Sequence, residues 1–147
     1  AVNMLNAMVS FRSQGNRFTT LDLCVIDLYC ARAEFIKLGA STTFIKRNDW
    51  IETIASTSLP VGTVENAKID SSDKKLYNGD FVIMVSDGVL DGIIFKEKED
   101  YIKELILRIN TDSPQELADS IRWNISKMNG ERFKDDVSVL VTKITHR

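Results

Sequence analysis

Two acidic dipeptides, Asp87-Gly88 and Asp135-Asp136, are the residues of this chain whose type and setting could do chemistry. Asp87 ends the apolar run Phe81-Val82-Ile83-Met84-Val85-Ser86, and Asp135-Asp136 open the run Val137-Ser138-Val139-Leu140-Val141. Both runs read as buried strands. If they pair antiparallel, the C-terminal end of the first meets the N-terminal end of the second, and both carboxylates reach one edge of the sheet. Carboxylates forced together raise each other's pKa unless a cation neutralises them, and hard divalent ions such as Mg²⁺ or Mn²⁺ select oxygen ligands. The spacing therefore predicts a divalent metal site at Asp87 and Asp135. Either dipeptide alone is a weak signal: Asp-Gly is ordinary turn vocabulary, as Asp91-Gly92 is expected to be, and an acidic pair commonly solvates a loop. The two strand ends together make the constellation.

Other chemistries find less support. Ser10, Ser13 and Ser56 have no histidine or G-x-S-x-G context, which disfavours a serine hydrolase, and no Gly-rich phosphate loop occurs. The single histidine, His146, reads as a solvated tail residue. Cys24 and Cys30 lie six residues apart on what reads as one strand, hence about 20 Å at roughly 3.3 Å per residue, too far for a disulfide within it. They read as reduced thiols of a cytosolic compartment, and their spacing does not suit zinc. With 19 basic against 21 acidic residues and no basic block, there is no electrostatic footprint for nucleic acid or anionic membrane. No apolar run approaches membrane-spanning length. Trp50 and Trp123 are expected in a core, the commoner home of indole.

The elements that must position the acids follow from periodicity. Residues 1–14 read as an amphipathic helix on Val2, Leu5, Met8 and Val9, closed by Gly15-Asn16. Residues 18–29 form a strand apolar on both faces, expected to be covered on both sides. Strand-like runs follow at 33–38, 42–46 and 50–54, with short turns that favour an antiparallel meander. After a loop over 55–66, the runs 67–76 and 80–86 flank Asn78-Gly79, a strong hairpin signal. A helix is expected around Tyr101, Ile102, Leu105, Ile106 and Ile109. Ser113-Pro114-Gln115-Glu116 then opens another as a capping box with proline at the first helical position, and Gly130 is placed to end it. The last strand covers 137–144. At 147 residues the chain reads as a single domain, 1–147. Strands in a block before helices argue an α+β fold, an antiparallel β-sandwich flanked by helices on both faces (α-β-β-α).

This constellation resembles the metal-dependent serine/threonine phosphatases of the PPM class (protein phosphatase 2C), most closely the bacterial branch of stage II sporulation protein E. Thr20-Leu21-Asp22-Leu23 with Ile26-Asp27-Leu28, Ala33-Glu34-Phe35-Ile36-Lys37-Leu38-Gly39-Ala40, Phe44-Ile45-Lys46-Arg47, Ser56-Thr57-Ser58-Leu59-Pro60-Val61-Gly62 and Ser86-Asp87-Gly88-Val89-Leu90-Asp91 look like its landmarks. The resemblance implies that Asp87 and Asp135 are ligands of a centre of two Mn²⁺ or Mg²⁺ ions. It places Asp136 just outside them and Gly88 where the backbone turns tightly beside the metal. The family's first metal motif, Asp-Gly-x-Gly after an N-terminal strand, is missing. The chain therefore reads as the C-terminal part of a catalytic domain with its N-terminal strands missing, and alone it is expected to be inactive and to self-associate.

The implied activity is hydrolysis of phosphoserine on a phosphorylated anti-anti-sigma factor, in sporulation or stress sigma-factor control. The implied location is cytoplasmic, as a soluble protein or as the cytoplasmic domain of a membrane-anchored parent. The competing reading is a non-catalytic β-sandwich interaction or oligomerisation module with a degenerate metal site.

Overall fold

Among the residues that the computed structural model describes, 2–13, 18–63, 69–130 and 135–145, four helices and seven strands alternate in blocks. Their order is α1 (Val2–Ser13), β1 (Leu21–Asp27), β2 (Arg32–Leu38), β3 (Thr43–Arg47), β4 (Trp50–Ile54), β5 (Asp70–Lys75), β6 (Phe81–Val85), α2 (Asp87–Asp91), α3 (Lys98–Arg108), α4 (Pro114–Met128) and β7 (Val139–Lys143). They gather into two compact units, residues 1–40 with 55–75 and residues 41–54 with 76–147. Each unit holds one wholly antiparallel sheet, as the α+β expectation requires. His146 and the Gly15-Asn16 turn lie outside the described residues.

In the first unit the sheet order is β1-β2-β5. β1 is an edge strand, and the expectation that both its faces would be covered does not hold: Leu23 and Val25 are exposed. Apolar residues on both faces of a strand do not guarantee two covering layers. α1 departs from its apolar periodicity as well. Met4 and Met8 are exposed, while the polar Asn6 is buried because its Oδ1 accepts the Gly62 N–H at 2.9 Å.

Asp22 stands directly opposite Lys37 in the β1–β2 register, and Lys37 Nζ donates to Asp22 Oδ2 at 2.7 Å. Lys37 is 1% exposed and Asp22 18%. Burial holds the Lys37 ammonium below the ordinary lysine range, and the Asp22 carboxylate pulls it back up. Breaking such a pair from one side leaves a buried charge uncompensated. We expect Asp22→Asn to cost about 2–3 kcal/mol at neutral pH, toward the low end for buried pairs because Asp22 is partly wet. A lysine whose folded pKa is depressed binds its proton less tightly folded than unfolded. Stability therefore rises with pH between the folded value and the unfolded 10.5. The deficit of Asp22→Asn should accordingly be full at neutral pH and shrink as pH climbs toward 10.5, and urea melts across that range check it.

The two thiols of this unit differ in exposure. Cys24 is half-buried, and desolvation, then the Asp22 charge, pushes its pKa up to about 11. Cys30 lies exposed just beyond β1. At neutral pH a thiol-specific alkylating reagent should modify Cys30 first and leave Cys24 largely unreacted until the protein unfolds, since the thiolate is the nucleophile. Peptide mapping after partial reaction reads the order.

The second unit carries the order β4-β3-β6-β7. Register places Phe44 against Ile83 and Ile83 against Val141, so one face presents Phe44, Phe81, Ile83, Val85, Val139 and Val141 together. Ile102, Leu105 and Ile106 of α3 and Leu117, Ile121 and Ile125 of α4 complete a core on that face. Lys46 lies on the same face, where its Nζ donates to the carbonyls of Ile106 at 3.0 Å and Ile109 at 2.6 Å and so satisfies the end of α3. Ser113 caps α4 by accepting the Glu116 N–H at 3.3 Å. The reciprocal half of the capping box runs through Thr111. Its Oγ1 accepts the Ser113 N–H and donates to the Glu116 carboxylate.

Asn78-Gly79 is a turn but closes no hairpin, since β5 pairs with β2 whereas β6 pairs with β3 and β7. The Asp80 N–H reaches the Tyr77 carbonyl at 3.0 Å with Gly79 at φ +93 and Asn78 outside the left-handed region. Both primed hairpin turns need positive φ at the first central residue, and here only the second, Gly79, has it, so this turn passes the chain from one sheet to the other. Both tryptophans are exposed rather than in the core, Trp50 at 52% and Trp123 at 59%. Each ring carries a cation, Arg47 over Trp50 and Lys127 over Trp123.

Candidate functional site

β6 and β7 pair antiparallel with Val85 opposite Val139, so the chain leaving β6 and the chain entering β7 share one end of the sheet. Asp87 is the first residue of α2, and Asp135-Asp136 lie in the segment that leads into β7. The juxtaposition expected from the two runs is what the ladder produces. All three carboxylates are exposed.

What holds the two segments is backbone and one hydroxyl. The Ser86 N–H donates to the Ser138 carbonyl at 3.0 Å. Ser86 Oγ donates to the Asp136 carbonyl at 3.1 Å and accepts the Ser138 N–H at 2.9 Å. Gly88 lies against Asp136: a Cβ at this position would sit 2.3 Å from the Asp136 carbonyl oxygen and 3.0 Å from its carbon. Gly88 is helical, with no positive φ. The expectation of a tight turn is therefore replaced by a close approach of two backbones. The far end of α2 is also fixed, since Asn129 Nδ2 on the C-terminal side of α4 donates to the Gly92 carbonyl at 2.6 Å and to that of Ile125 at 2.9 Å. Asp91, expected in a simple turn, ends α2 and pairs with Lys98 at 2.9 Å.

One oxygen of each candidate ligand is taken by the N–H that follows it: Gly88 donates to Asp87 Oδ1 at 3.0 Å and Asp136 to Asp135 Oδ1 at 2.8 Å. No lysine or arginine among the described residues pairs with Asp87, Asp135 or Asp136. Hard oxygen donors facing solvent, oriented by backbone and unpaired with any described lysine or arginine, fit an ion of the Mg²⁺ or Mn²⁺ type, which keeps several waters and takes one or two carboxylates. They do not make a closed cage. Among the described residues no third Asp, Glu, His or Cys joins them.

Sequence reasoning missed Ser86, α2 and Asn129. A single helical turn of five residues carries no readable periodicity, and a serine before a helix reads as an N-cap. Ser86 occupies that position without capping, its hydroxyl being turned across to the other strand. A polar atom between two strand ends is the signal that was available.

Residues 1–145 match the family of stage II sporulation protein E (SpoIIE). The chain is 35% identical over 99% of its length to stage II sporulation protein E of Priestia megaterium and spans 25% of that protein. It is similar to the PP2C phosphatase domain, solved with a fragment of the regulatory domain, of the cell-fate determinant SpoIIE from Bacillus subtilis. The TM-score is 0.89 at 31% identity, over 97% of this chain and 43% of that one. A manganese-presoaked structure of the same organism's phosphatase domain gives a TM-score of 0.83 at 29% identity, over 99% of this chain and 66% of that one. The fold matched is that of PP2C phosphatases. No helix among the described residues is long and apolar enough to cross a membrane.

Proposed function

The chain belongs to the stage II sporulation protein E family, and from that premise we propose that residues 1–147 are part of one metal-dependent protein serine/threonine phosphatase domain. The observation that carries this reading is the antiparallel β6–β7 ladder, which brings Asp87 and Asp135-Asp136 to one edge with no protein cation among the described residues to neutralise them. Two bound Mn²⁺ or Mg²⁺ ions would supply an acidified water and would neutralise charge on the transferred phosphoryl group. Asp87 and Asp135 would hold them. The lack of a side chain at Gly88 lets the α2 backbone approach the Asp136 peptide. Completion of the cage falls to a ligand outside the pair.

The substrate we propose is phosphoserine on a small folded anti-anti-sigma protein, in the cytoplasm. A shallow site with exposed acids and few groups to read a side chain must take its discrimination from a protein surface beyond the phosphate. The full-length protein should therefore show a kcat/KM at least about 100-fold higher on the folded phosphoprotein than on a phosphopeptide of the same local sequence, a difference of about 2.7 kcal/mol in transition-state binding. Equal values for the two would overturn recognition of a folded partner.

A further inference from the structure

An antiparallel ladder that ends where one of its strands turns into a helix loses an acceptor. Ser86 pairs with Ser138 as the next rung after Val85 and Val139, and its N–H makes the ladder bond to the Ser138 carbonyl at 3.0 Å. The return bond would run from the Ser138 N–H to the Ser86 carbonyl. That carbonyl is already committed to α2, where it accepts the Val89 N–H at 3.1 Å. The Ser86 hydroxyl takes its place, accepting the Ser138 N–H at 2.9 Å and passing its own proton to the Asp136 carbonyl at 3.1 Å. This use costs Ser86 its ordinary role, and α2 has no side-chain cap.

We propose that Ser86 is a positioning residue for the candidate metal ligands: its hydroxyl ties the chain at Asp87 to the peptide of Asp136 and so fixes the two acidic segments relative to one another. The proposal rests on the reading of Asp87 and Asp135 as ligands. α2 is a single turn, too short to hold its own geometry, so the place of its first residue is set by what grips it. On the Asp87 side the grip is the Ser86 N–H bond to Ser138 together with the Ser86 hydroxyl and the Gly88 contact, the last two directed at Asp136. Only hydroxyl residues can both accept and donate at this reach. Alanine would leave the Ser138 N–H and the Asp136 carbonyl to water, and threonine would keep both bonds.

The test is calorimetric titration of Mn²⁺ into the full-length protein as wild type, Ser86→Ala, Ser86→Thr and Asp87→Asn, with amide exchange followed at Ser138. Ser86→Ala should bind Mn²⁺ about tenfold more weakly, as loss of an orienting partner typically does, and should exchange its Ser138 amide faster. Ser86→Thr should match wild type in both. A fall in melting temperature with unchanged Mn²⁺ affinity in Ser86→Ala would overturn the proposal, as would a threonine variant as weak as the alanine one. Wild-type affinity in Asp87→Asn would instead overturn the site itself, so the two failures are distinguishable. If Ser86→Ala does not fold, Ser86→Cys replaces it: a thiol is a poor donor, and affinity equal to that of Ser86→Thr would overturn the positioning role.

Discussion

Replacing either Asp87 or Asp135 by asparagine in the full-length protein should lower phosphatase turnover by about three orders of magnitude or more while leaving the melting temperature nearly unchanged. Asparagine keeps the volume and one oxygen of the carboxylate but removes the charge that a hard divalent ion requires. Both carboxylates are exposed, so no cavity opens. Among the described residues each makes only the hydrogen bond from the N–H that follows it, which an amide oxygen can still accept. The loss should be relieved in part by raising Mn²⁺, because a weakened site fills at higher concentration. Phosphate release measured against Mn²⁺ concentration checks this, and wild-type turnover at limiting Mn²⁺ would remove that residue from the site.

Gly88→Ala should also lower turnover, by a smaller factor and a different route. Its Cβ would meet the Asp136 carbonyl oxygen at 2.3 Å, and that atom belongs to backbone that cannot rotate away. One of the two segments must move by the better part of an ångström. Overpacking of this kind costs about 1–3 kcal/mol in stability, and misplacement on that scale lowers turnover by about 100-fold. The signature separates it from the aspartate variants: Gly88→Ala should lower the melting temperature and the Mn²⁺ affinity together, whereas Asp87→Asn lowers only the second. A Gly88→Ala protein that melts and turns over like wild type would show that α2 and the Asp136 segment can part without consequence.

The strands that carry the site were legible because they are nearly pure apolar runs bounded by acids, and β6 and β7 fell where Phe81-Val82-Ile83-Met84-Val85 and Val139-Leu140-Val141 placed them. α4 was legible through its capping serine and N1 proline. What escaped depends on partners that local pattern cannot name. Asn78-Gly79 announced a turn correctly, but which sheets its flanking strands join is decided by β2 and β3, distant in sequence. β1 is apolar on both sides yet lies at a sheet edge. Asn6 is buried against expectation through a hydrogen bond to the Gly62 amide. At the site, the residue types of Asp87 and Asp135 could be read, whereas the work of Ser86 depends on a carbonyl diverted into a helix, visible only in three dimensions.

Whether Asp87 and Asp135 serve one metal site can be read from a double-substitution cycle on Mn²⁺ affinity. Calorimetry on wild type, Asp87→Asn, Asp135→Asn and the double variant of the full-length protein yields the coupling between the two carboxylates. Ligands of a shared site are strongly non-additive, so the double variant should bind Mn²⁺ about as weakly as either single one. Losses that simply add, or a single variant that binds Mn²⁺ like wild type, would contradict a shared site.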